Sequence, residues 1–400
     1  MLKYRNLYLG INQGLEEIFF EEKYADKVIS NLFYNHKLWG KRDRAFVAET
    51  LYDIIRWKRV IEFSGGTEID QDDLWTFVGT WFVIKGNELP DWEEFKSVLN
   101  PEKIRANYQK SFQVDAIKHS IPNWLQILGE KELTKEVWNK QMEALNLTAD
   151  IILRVNHLKT TKEELMQSLE AQEIITEEIS GFPDALRVTK RANVFQTEAF
   201  GKGFFEVQDA SSQLVARFLD PKPKSRVVDA CAGAGGKTLH LANVMQNQGQ
   251  IIALDIHPWK LAELKKRAKR NGIGNIQTKE IESSKTIKRL AESADYLLLD
   301  VPCTGIGVLK RNPDSKWKLS PAFFENVLKE QAQILQSYAK ILKPSGEMVY
   351  STCSIFPSEN QNQVQYFLEQ NPNFSLVEEK TIYPSETGFD GFYMAKMVKK

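Results

Sequence analysis

The sequence predicts an α/β protein in three parts: a helical part over 1–145, a mixed α/β part over 146–215 and a sheet domain over 216–400. Three observations predict this division. Apolar residues recur at three- and four-residue spacing through the first part, which is typical of amphipathic helices. Short apolar strands alternate with helical segments through the last part, which indicates a parallel sheet with helices on both faces. A chain of 400 residues also exceeds the usual size of one domain.

The first part is expected to form a small helical bundle. Gly65 and Gly66 end one long amphipathic segment, and Pro90 and Pro122 mark the entry to new ones. Helices are predicted over about 24–38, 44–63, 72–84 and 121–131.

The second part changes its pattern at about residue 150. Strands are predicted over about 150–159 and 185–192, and a further strand, turn and helix over 203–219. Thr161 is a candidate cap for a helix that continues to about residue 172. This part therefore predicts a small mixed subdomain that links the other two.

The third part contains four successive strand and helix pairs. The predicted strands are 226–232, 251–256, 294–303 and 347–353, and the helices that follow them are 235–246, 259–272, 321–342 and 360–370.

Composition excludes several classes of protein. Three widely spaced cysteines in a chain with no secretory signal argue against a disulfide scaffold and favour a reducing, cytoplasmic location. No apolar run is long enough to span a bilayer, and the five scattered histidines and the cysteines lack zinc-site spacing. We therefore expect no membrane and no metal.

The formal net charge is zero, so binding to nucleic acid would need local basic patches. Each such run, taken singly, is more typical of a solvated helix face or loop. The runs are Lys41, Arg42 and Arg44; Lys265, Lys266, Arg267, Lys269 and Arg270; and Lys310 and Arg311.

Each cysteine closes a strand-like run, and this feature is the most informative in the chain. Side chains at the carboxyl ends of parallel strands face the ligand crevice of an open sheet. Cys303 and Cys353 follow neighbouring predicted strands. Either one alone would be read as a buried structural cysteine. Together, beside a glycine-rich loop, they indicate nucleophilic chemistry.

That glycine-rich loop covers residues 229–237, between a strand and a helix. Its glycines allow a ligand to approach the backbone at a helix N-terminus, and Asp255 ends the next strand, where an acid can hold ribose hydroxyls. The spacing matches neither the dinucleotide fingerprint nor a Walker loop. S-adenosylmethionine (AdoMet) therefore fits better than NAD, and the competing interpretation is a tight turn without a ligand.

Residues 300–307 form a second motif at a strand end. Pro302 keeps the chain extended as it leaves the strand, so that Asp300 and Cys303 project into the crevice.

These motifs resemble the Sun (Fmu) family of RNA cytosine-C5 methyltransferases, and most of all its bacterial small-subunit (16S) rRNA enzymes. The similar segments are 153–159, 207–215, 229–238, 300–317, 350–354, 357–360 and 390–400. Residues 42–56 are similar to the NusB-like RNA-binding domain that precedes the catalytic region in such enzymes. The resemblance implies a Rossmann-like AdoMet methyltransferase sheet preceded by an all-α NusB-like domain and a small linking subdomain.

The resemblance also implies residue roles. Cys353 is the nucleophile, Cys303 serves product release, Asp300 binds the cytosine edge, and Lys237 lies near the thiols. Chemistry alone leaves the two cysteine roles open, because DNA cytosine methylases use as their nucleophile the cysteine that follows a proline, which corresponds to Cys303 here. The implied cofactor residues are Cys231, Ala232, Gly233, Ala234, Gly235, Gly236, Lys237, Asp255, Glu282 and Asp300.

The chain departs from the family pattern at three places. Gly233-Ala234 stands where the family has Ala-Pro, and Thr304 stands where it has Ser. The family's third cofactor acid falls on Ile281, so Glu280, Glu282 or the backbone is expected to replace it.

The expected function is AdoMet-dependent methylation of cytosine C5 in RNA, with 16S rRNA as the substrate and a monomeric enzyme. The alternatives are the same chemistry on tRNA, or a non-catalytic RNA-binding or ribosome-assembly protein, which the two cysteines and Asp300 argue against. Arg42, Arg44 and Arg56 are candidates for phosphate contact.

Overall fold

A computed structural model describes residues 4–96 and 100–400. The chain divides into two compact units. The first comprises residues up to Leu147 together with Leu309–Ser320, and the second comprises Thr148–Val308 and Pro321–Lys400. A short segment from the range predicted for the sheet domain thus belongs to the helical unit.

The first unit is helical, as predicted. Its apolar residues at helical spacing on α1, α3 and α4 meet in one core, which includes Leu7, Ile11, Leu51, Ile54 and Val78. The helices are α1 Arg5–Phe19, α2 Ala25–Asn35, α3 Lys41–Gly65, α4 Leu74–Ile84, α5 Pro101–Ser111, α6 Asp115–Lys118, α7 Asn123–Leu133 and α8 Lys135–Leu145.

Helix α3 is kinked at Trp57, whose backbone leaves the helical region. The amide of Arg59 donates to Ser120 Oγ instead of to the preceding turn. The carbonyls of Ile55 and Arg56 accept from Trp317 Nε1 and Lys316 Nζ, each at 2.8 Å. The kink therefore exposes backbone acceptors that the segment Leu309–Ser320 satisfies.

The second unit contains two sheets, of which the smaller is antiparallel with strand order β2-β3-β1-β4. Thr161 caps α9 in a capping box with Glu164, as its sequence predicts. The elements are β1 Ile152–Val155, α9 Lys162–Glu170, β2 Thr176–Glu178, β3 Ala185–Val188, α10 Glu198–Lys202, β4 Phe205–Val207 and α11 Ala210–Leu219.

The larger sheet has seven strands in the order β10-β11-β9-β8-β5-β6-β7. The strands and helices are β5 Arg226–Asp229, α12 Gly236–Val244, β6 Gln250–Asp255, α13 Pro258–Asn271, β7 Ile276–Glu280, α14 Ser284–Lys288, β8 Ala294–Asp300, α15 Ser315–Lys318, α16 Pro321–Tyr338, β9 Leu342–Thr352, α17 Gln361–Gln370, β10 Phe374–Ile382, α18 Pro384–Thr387 and β11 Phe392–Lys399.

The prediction of a wholly parallel sheet is wrong at one edge. Strands β5 to β9 pair in parallel, but β11 pairs antiparallel with both β9 and β10. The last two strands are joined by a short connection with α18 and not by a full crossover helix, which permits antiparallel pairing.

The strand order reverses between β5 and β8, because β6 and β7 lie on one side of β5 and β8 and β9 on the other. A crevice opens at the carboxyl ends of the strands at such a switch point. Separately, no helix within 4–96 or 100–400 has the length and apolar character of a membrane span.

Candidate active site

The two predicted nucleophiles meet at the carboxyl ends of β8 and β9. Asp300 and Ser351 are paired across these parallel strands, so the residues that follow leave the sheet side by side. The sulfur atoms of Cys303 and Cys353 lie 3.2 Å apart, and both side chains are half-buried. The amide of Gly307 donates to the Cys353 carbonyl at 3.0 Å, which holds the loop after Cys303 against the loop after β9.

The three cysteines differ in their electrostatic environment. The contact with Cys353 and burial raise the pKa of the Cys303 thiol well above its usual value. Burial and the carboxylates of Asp229, Asp300 and Asp255 raise the pKa of Cys231 in the same direction. Both thiols therefore keep their protons at neutral pH, and Cys303 can donate to the Cys353 sulfur.

Asp300 and Lys237 form an ion pair beside the thiols. Lys237 Nζ lies 2.7 Å from Asp300 Oδ2, and Ser351 Oγ donates to Asp300 Oδ1 at 3.1 Å. Burial by itself lowers the pKa of Lys237, but Asp300 outweighs burial and leaves that pKa raised. The side chains of Asp300, Lys237 and Ser351 thus form one polar cluster, in which the ion pair holds the Lys237 ammonium in place.

The glycine loop connects β5 to α12 and lies against Asp255 at the end of β6. Asp255 Oδ2 accepts from the amide of Gly233 and Oδ1 from that of His257, each at 2.8 Å. Gly235 has a positive φ of 87°, and a Cβ there would lie 2.5 Å from Leu264 of α13. A Cβ on Gly233, also at positive φ, would meet open space. Gly235 is therefore required by packing, whereas Gly233 borders the crevice.

Sequence reasoning missed Asp229, the last residue of β5. Its side chain is buried, and Thr238 donates to Oδ2 at 2.7 Å. Burial and then the charge of Asp300 raise the pKa of Asp229 to about 7. An acid followed by a glycine loop at a strand end was a usable signal, but nothing in the sequence revealed its proximity to Asp300.

The predicted replacement for the third cofactor acid lies after β7. Glu280 is paired with Asp255 across the parallel strands, and the amide of Ile281 donates to the Asp255 carbonyl at 2.9 Å. Ile281 packs against the apolar core, while Glu282 is exposed at the strand end. The assignment of Glu282 stays a prediction.

Comparison with known proteins identifies the family of this chain. Residues 216–398 match the family described as 16S rRNA methyltransferase RsmB/F, and residues 121–195 match a ferredoxin-like domain described for RsmF/B-like methyltransferases. The probable ribosomal RNA small subunit methyltransferase B of Synechocystis sp. is 36% identical over 330 residues, which cover 77% of this chain and 71% of the relative. This chain belongs to the RsmB/F family.

Other comparisons agree with this membership. The ribosomal RNA small subunit methyltransferase B of Vibrio vulnificus is 34% identical over 80% of this chain and 77% of its own length. A crystal structure of PH0851 is similar with a TM-score of 0.82 and 27% identity, covering 98% of both chains. A methyltransferase homolog protein from Pyrococcus horikoshii gives a TM-score of 0.64 and 26% identity, over 73% of this chain and 99% of its own.

As an RsmB/F protein, the chain is an AdoMet-dependent small-subunit rRNA methyltransferase. The crevice fits this cofactor. Each carboxylate oxygen of Asp255 accepts one backbone amide and keeps a second lone pair for a ribose hydroxyl. Asp229, Asp255 and Asp300 all lie close enough to Cys231 to raise its pKa, and such a group of acids suits a cationic sulfonium.

The three arginines predicted to contact phosphate differ in how exposed their side chains are. Arg56 is only 5% exposed and donates from one guanidinium nitrogen to the Lys310 carbonyl, so its assignment to phosphate is wrong. Lys310 is also buried. Arg42 is exposed, and the half-buried Arg44 donates to the Trp39 carbonyl at 3.0 Å. Of the three arginines, only Arg42 is fully available.

The basic run on α13 separates into two groups. Arg267 and Arg270 pair with Glu206, which is almost fully buried. Lys266 and Lys269 are exposed and line a shallow depression within the second unit. The residues around this depression are Lys159, Gly201, Lys202, Phe204, Lys266, Lys269 and Arg270.

Proposed function

We propose that this RsmB/F protein methylates C5 of a cytosine in 16S rRNA through a covalent bond between Cys353 and C6 of the base. The observation that carries the proposal is the pair of sulfurs 3.2 Å apart beside the Asp300–Lys237 ion pair. Small-subunit rRNA is the substrate class of the family. Two thiols at one site would be redundant for methyl transfer to a group that is already nucleophilic.

Cytosine C5 is too weakly nucleophilic to take a methyl group directly. Attack of the Cys353 thiolate on C6 forms the S–C6 bond, shifts the C5–C6 double bond to C4–C5 and moves the C4–N3 π electrons onto N3. N3 takes up the proton that the Cys353 thiol released, and C5 becomes an enamine carbon. Asp300 is assigned to accept a hydrogen bond from that N3–H. The raised pKa of Cys303 favours its assignment as a proton donor, and the family resemblance assigns the attack to Cys353.

AdoMet supplies the electrophilic methyl group when it is bound. Afterwards the C5 proton leaves to water and its bonding electrons re-form the C5–C6 double bond. The bond from C6 to the Cys353 sulfur breaks, and its electrons return to the sulfur as a thiolate, which regains a proton as N3 loses one. Cys303 is assigned to this release, since its sulfur adjoins the sulfur that departs. Lys237 is assigned to hold Asp300 and to stabilise the Cys353 thiolate by its positive charge.

The cofactor is assigned to residues 231–237, Asp255 and Asp300, with Glu282 as the replacement for the missing third acid. The proposed order of domains is a NusB-like RNA-binding domain over 1–145, a linking subdomain over 146–215 and a catalytic domain over 216–400.

RNA binding is assigned to exposed cations in both units. Arg42 in the helical unit and the lysines around the depression on α13 can contact phosphates. The target base must leave any stack to reach the thiols, which favours a loop or bulge as the substrate. We further propose that the enzyme is monomeric and cytoplasmic, where its rRNA substrate is found.

The test is methyl transfer from labelled AdoMet to purified 16S rRNA, to small ribosomal subunits and to tRNA, followed by nucleoside analysis. Label in 5-methylcytidine of 16S rRNA is the expected result. Label only in tRNA would move the enzyme to the alternative substrate, and label in another nucleoside would overturn the cytosine-C5 assignment.

A further inference from the structure

The loops that carry the two thiols share one buried carboxylate. Glu359, in the 3₁₀ turn Pro357–Glu359 after β9, is fully buried. Thr304, directly after Cys303, donates to it from its amide at 2.8 Å and from Oγ1 at 2.6 Å. Ser354, directly after Cys353, donates to the same carboxylate from Oγ. The residue that follows each cysteine is therefore bonded to one acid.

Three further hydrogen bonds, from Gln331 and Tyr350, extend this arrangement to the residues that precede the cysteines. Gln331 of α16 donates from Nε2 to Glu359 Oε1 at 3.2 Å and to the carbonyl of Pro302, directly before Cys303, at 2.8 Å. The Tyr350 hydroxyl donates to the Glu359 carbonyl at 2.7 Å. The turn that carries Glu359 is thus fixed to β9, and its carboxylate to both cysteine loops.

Glu359 makes no ion pair with any residue that the structure describes. All its side-chain partners are neutral donors: one amide, two hydroxyls and a carboxamide. A buried carboxylate without a cation is costly unless several hydrogen bonds stabilise it. A buried apolar residue would fill this space more cheaply, so the retained charge points to a task beyond packing.

We propose that Glu359 is a positioning residue that sets the separation of the Cys303 and Cys353 sulfurs by joining Thr304 and Ser354 to a single carboxylate. The expected effect on catalysis rests on the proposed two-thiol function. The positioning of the two sulfurs by Glu359 does not depend on that function. Glu359 does not touch the reacting atoms. It acts through the backbone of the two loops, and its negative charge also favours the protonated form of Cys303.

A test without RNA or cofactor separates positioning from the proposed function. The oxidant diamide takes two electrons and two protons from Cys303 and Cys353, which form a disulfide while diamide becomes its hydrazine. The rate of this reaction reports how often the sulfurs meet. We expect Glu359→Ala to slow it about tenfold or more, Glu359→Gln to slow it less, and Glu369→Ala, at an exposed position of α17, to leave it unchanged.

Methyl transfer is then measured on the same variants. For Glu359→Gln we expect a lower kcat with nearly unchanged KM values for RNA and AdoMet, because Glu359 is fully buried and offers no surface to a ligand. Thr304→Val and Ser354→Ala should each show part of the slower oxidation and part of the lower kcat. These two variants serve as the test if Glu359→Ala does not fold. A folded Glu359→Ala that oxidises at the normal rate would overturn the proposal. If Glu359→Ala oxidises more slowly but Cys353→Ala still methylates RNA, the positioning role of Glu359 would stand. The two-thiol mechanism would then be rejected.

Discussion

The sulfur of Cys303 lies 3.2 Å from that of Cys353, although 50 positions of sequence separate the two residues. Parallel pairing of β8 with β9 brings their loops together, and contact with Cys353 and burial raise the pKa of Cys303. The contact between the two thiols supports the proposed assignment of separate roles to them.

Replacing each thiol separately should distinguish those roles. Cys353→Ala should form no covalent RNA adduct and give no methylation, because Ser351 and Ser354 are too weakly acidic to act in its place. Cys303→Ala should accumulate a denaturant-stable, methylated RNA adduct. A denaturing gel with labelled AdoMet and substrate RNA measures both, with AdoMet binding by calorimetry as the control that each variant is folded. An adduct in Cys353→Ala but none in Cys303→Ala would reverse the roles.

Removing the acid at the end of β6 should weaken cofactor binding. We expect Asp255→Ala to lower AdoMet affinity by about 10- to 100-fold, since hydrogen bonds to a charged acceptor each contribute roughly 1.5–3 kcal/mol. Calorimetry on the purified protein measures this. Asp255→Asn, which keeps one acceptor oxygen, should lose less. Unchanged affinity in Asp255→Ala would remove this residue from the cofactor site.

Acid should destabilise the second unit through His240. Its Nε2 lies 2.8 Å from Asp184 Oδ2, and burial lowers the pKa of His240 to about 4, so at pH 7 this contact is a hydrogen bond from a neutral imidazole to a charged carboxylate. Between the unfolded pKa of about 6.5 and the folded value, only the unfolded chain binds the proton. The contribution of His240 to stability is therefore lost as the pH falls through this window, by about 2 kcal/mol between pH 7.5 and pH 5.

Urea unfolding at the two pH values tests this expectation. His240→Gln can retain the hydrogen bond to Asp184 and removes the titrating group, so between pH 7.5 and pH 5 this variant should lose about 2 kcal/mol less stability than the wild-type protein. Equal pH dependence in both proteins would show that His240 is not the cause. Asp184 itself cannot account for the window, since its pKa is lowered and the stability it contributes is lost only below about pH 5, where an ordinary aspartate begins to bind a proton.

The segment Leu309–Ser320 should stabilise the helical unit. Trp317 donates to the Ile55 carbonyl that the α3 kink exposes, so Trp317→Phe should cost about 1 kcal/mol by loss of that bond. Trp317→Ala should cost more, roughly 2–4 kcal/mol, because apolar packing against the helical core is lost as well. Thermal unfolding measures both, and Trp259→Ala, at a position 64% exposed, is the control. Equal melting temperatures for all three variants would contradict this contribution.

Neutralising the lysines of the depression on α13 should weaken RNA binding in a salt-dependent manner. For Lys266→Gln with Lys269→Gln we expect the slope of log affinity against log salt to become shallower by about 1.5, as two phosphate contacts are lost. Titration of labelled rRNA at several salt concentrations measures the slope. Lys329→Gln, on the exposed face of α16, should leave it unchanged. Equal slopes for the wild-type protein, the double variant and Lys329→Gln would show that RNA does not bind at this depression.

The sequence alone determined the local structure and the chemical candidates. Helical periodicity predicted the first unit, and apolar strands bounded by turns predicted the sheet that carries Asp255, Asp300 and the cysteines. These features are local, because side-chain period, turn residues and caps act over a few positions. The strand-end placement of each cysteine was predictable for the same reason.

Only the tertiary structure decided which distant groups share an environment. The antiparallel edge formed by β10 and β11, the burial of Arg56, and the packing of Leu309–Ser320 with the helical unit depend on contacts between remote parts of the chain. The raised pKa of Asp229 and the position of Glu359 between two cysteine loops depend on such contacts as well. Burial and electrostatic interaction act through space, so no periodicity or spacing along the chain encodes them directly.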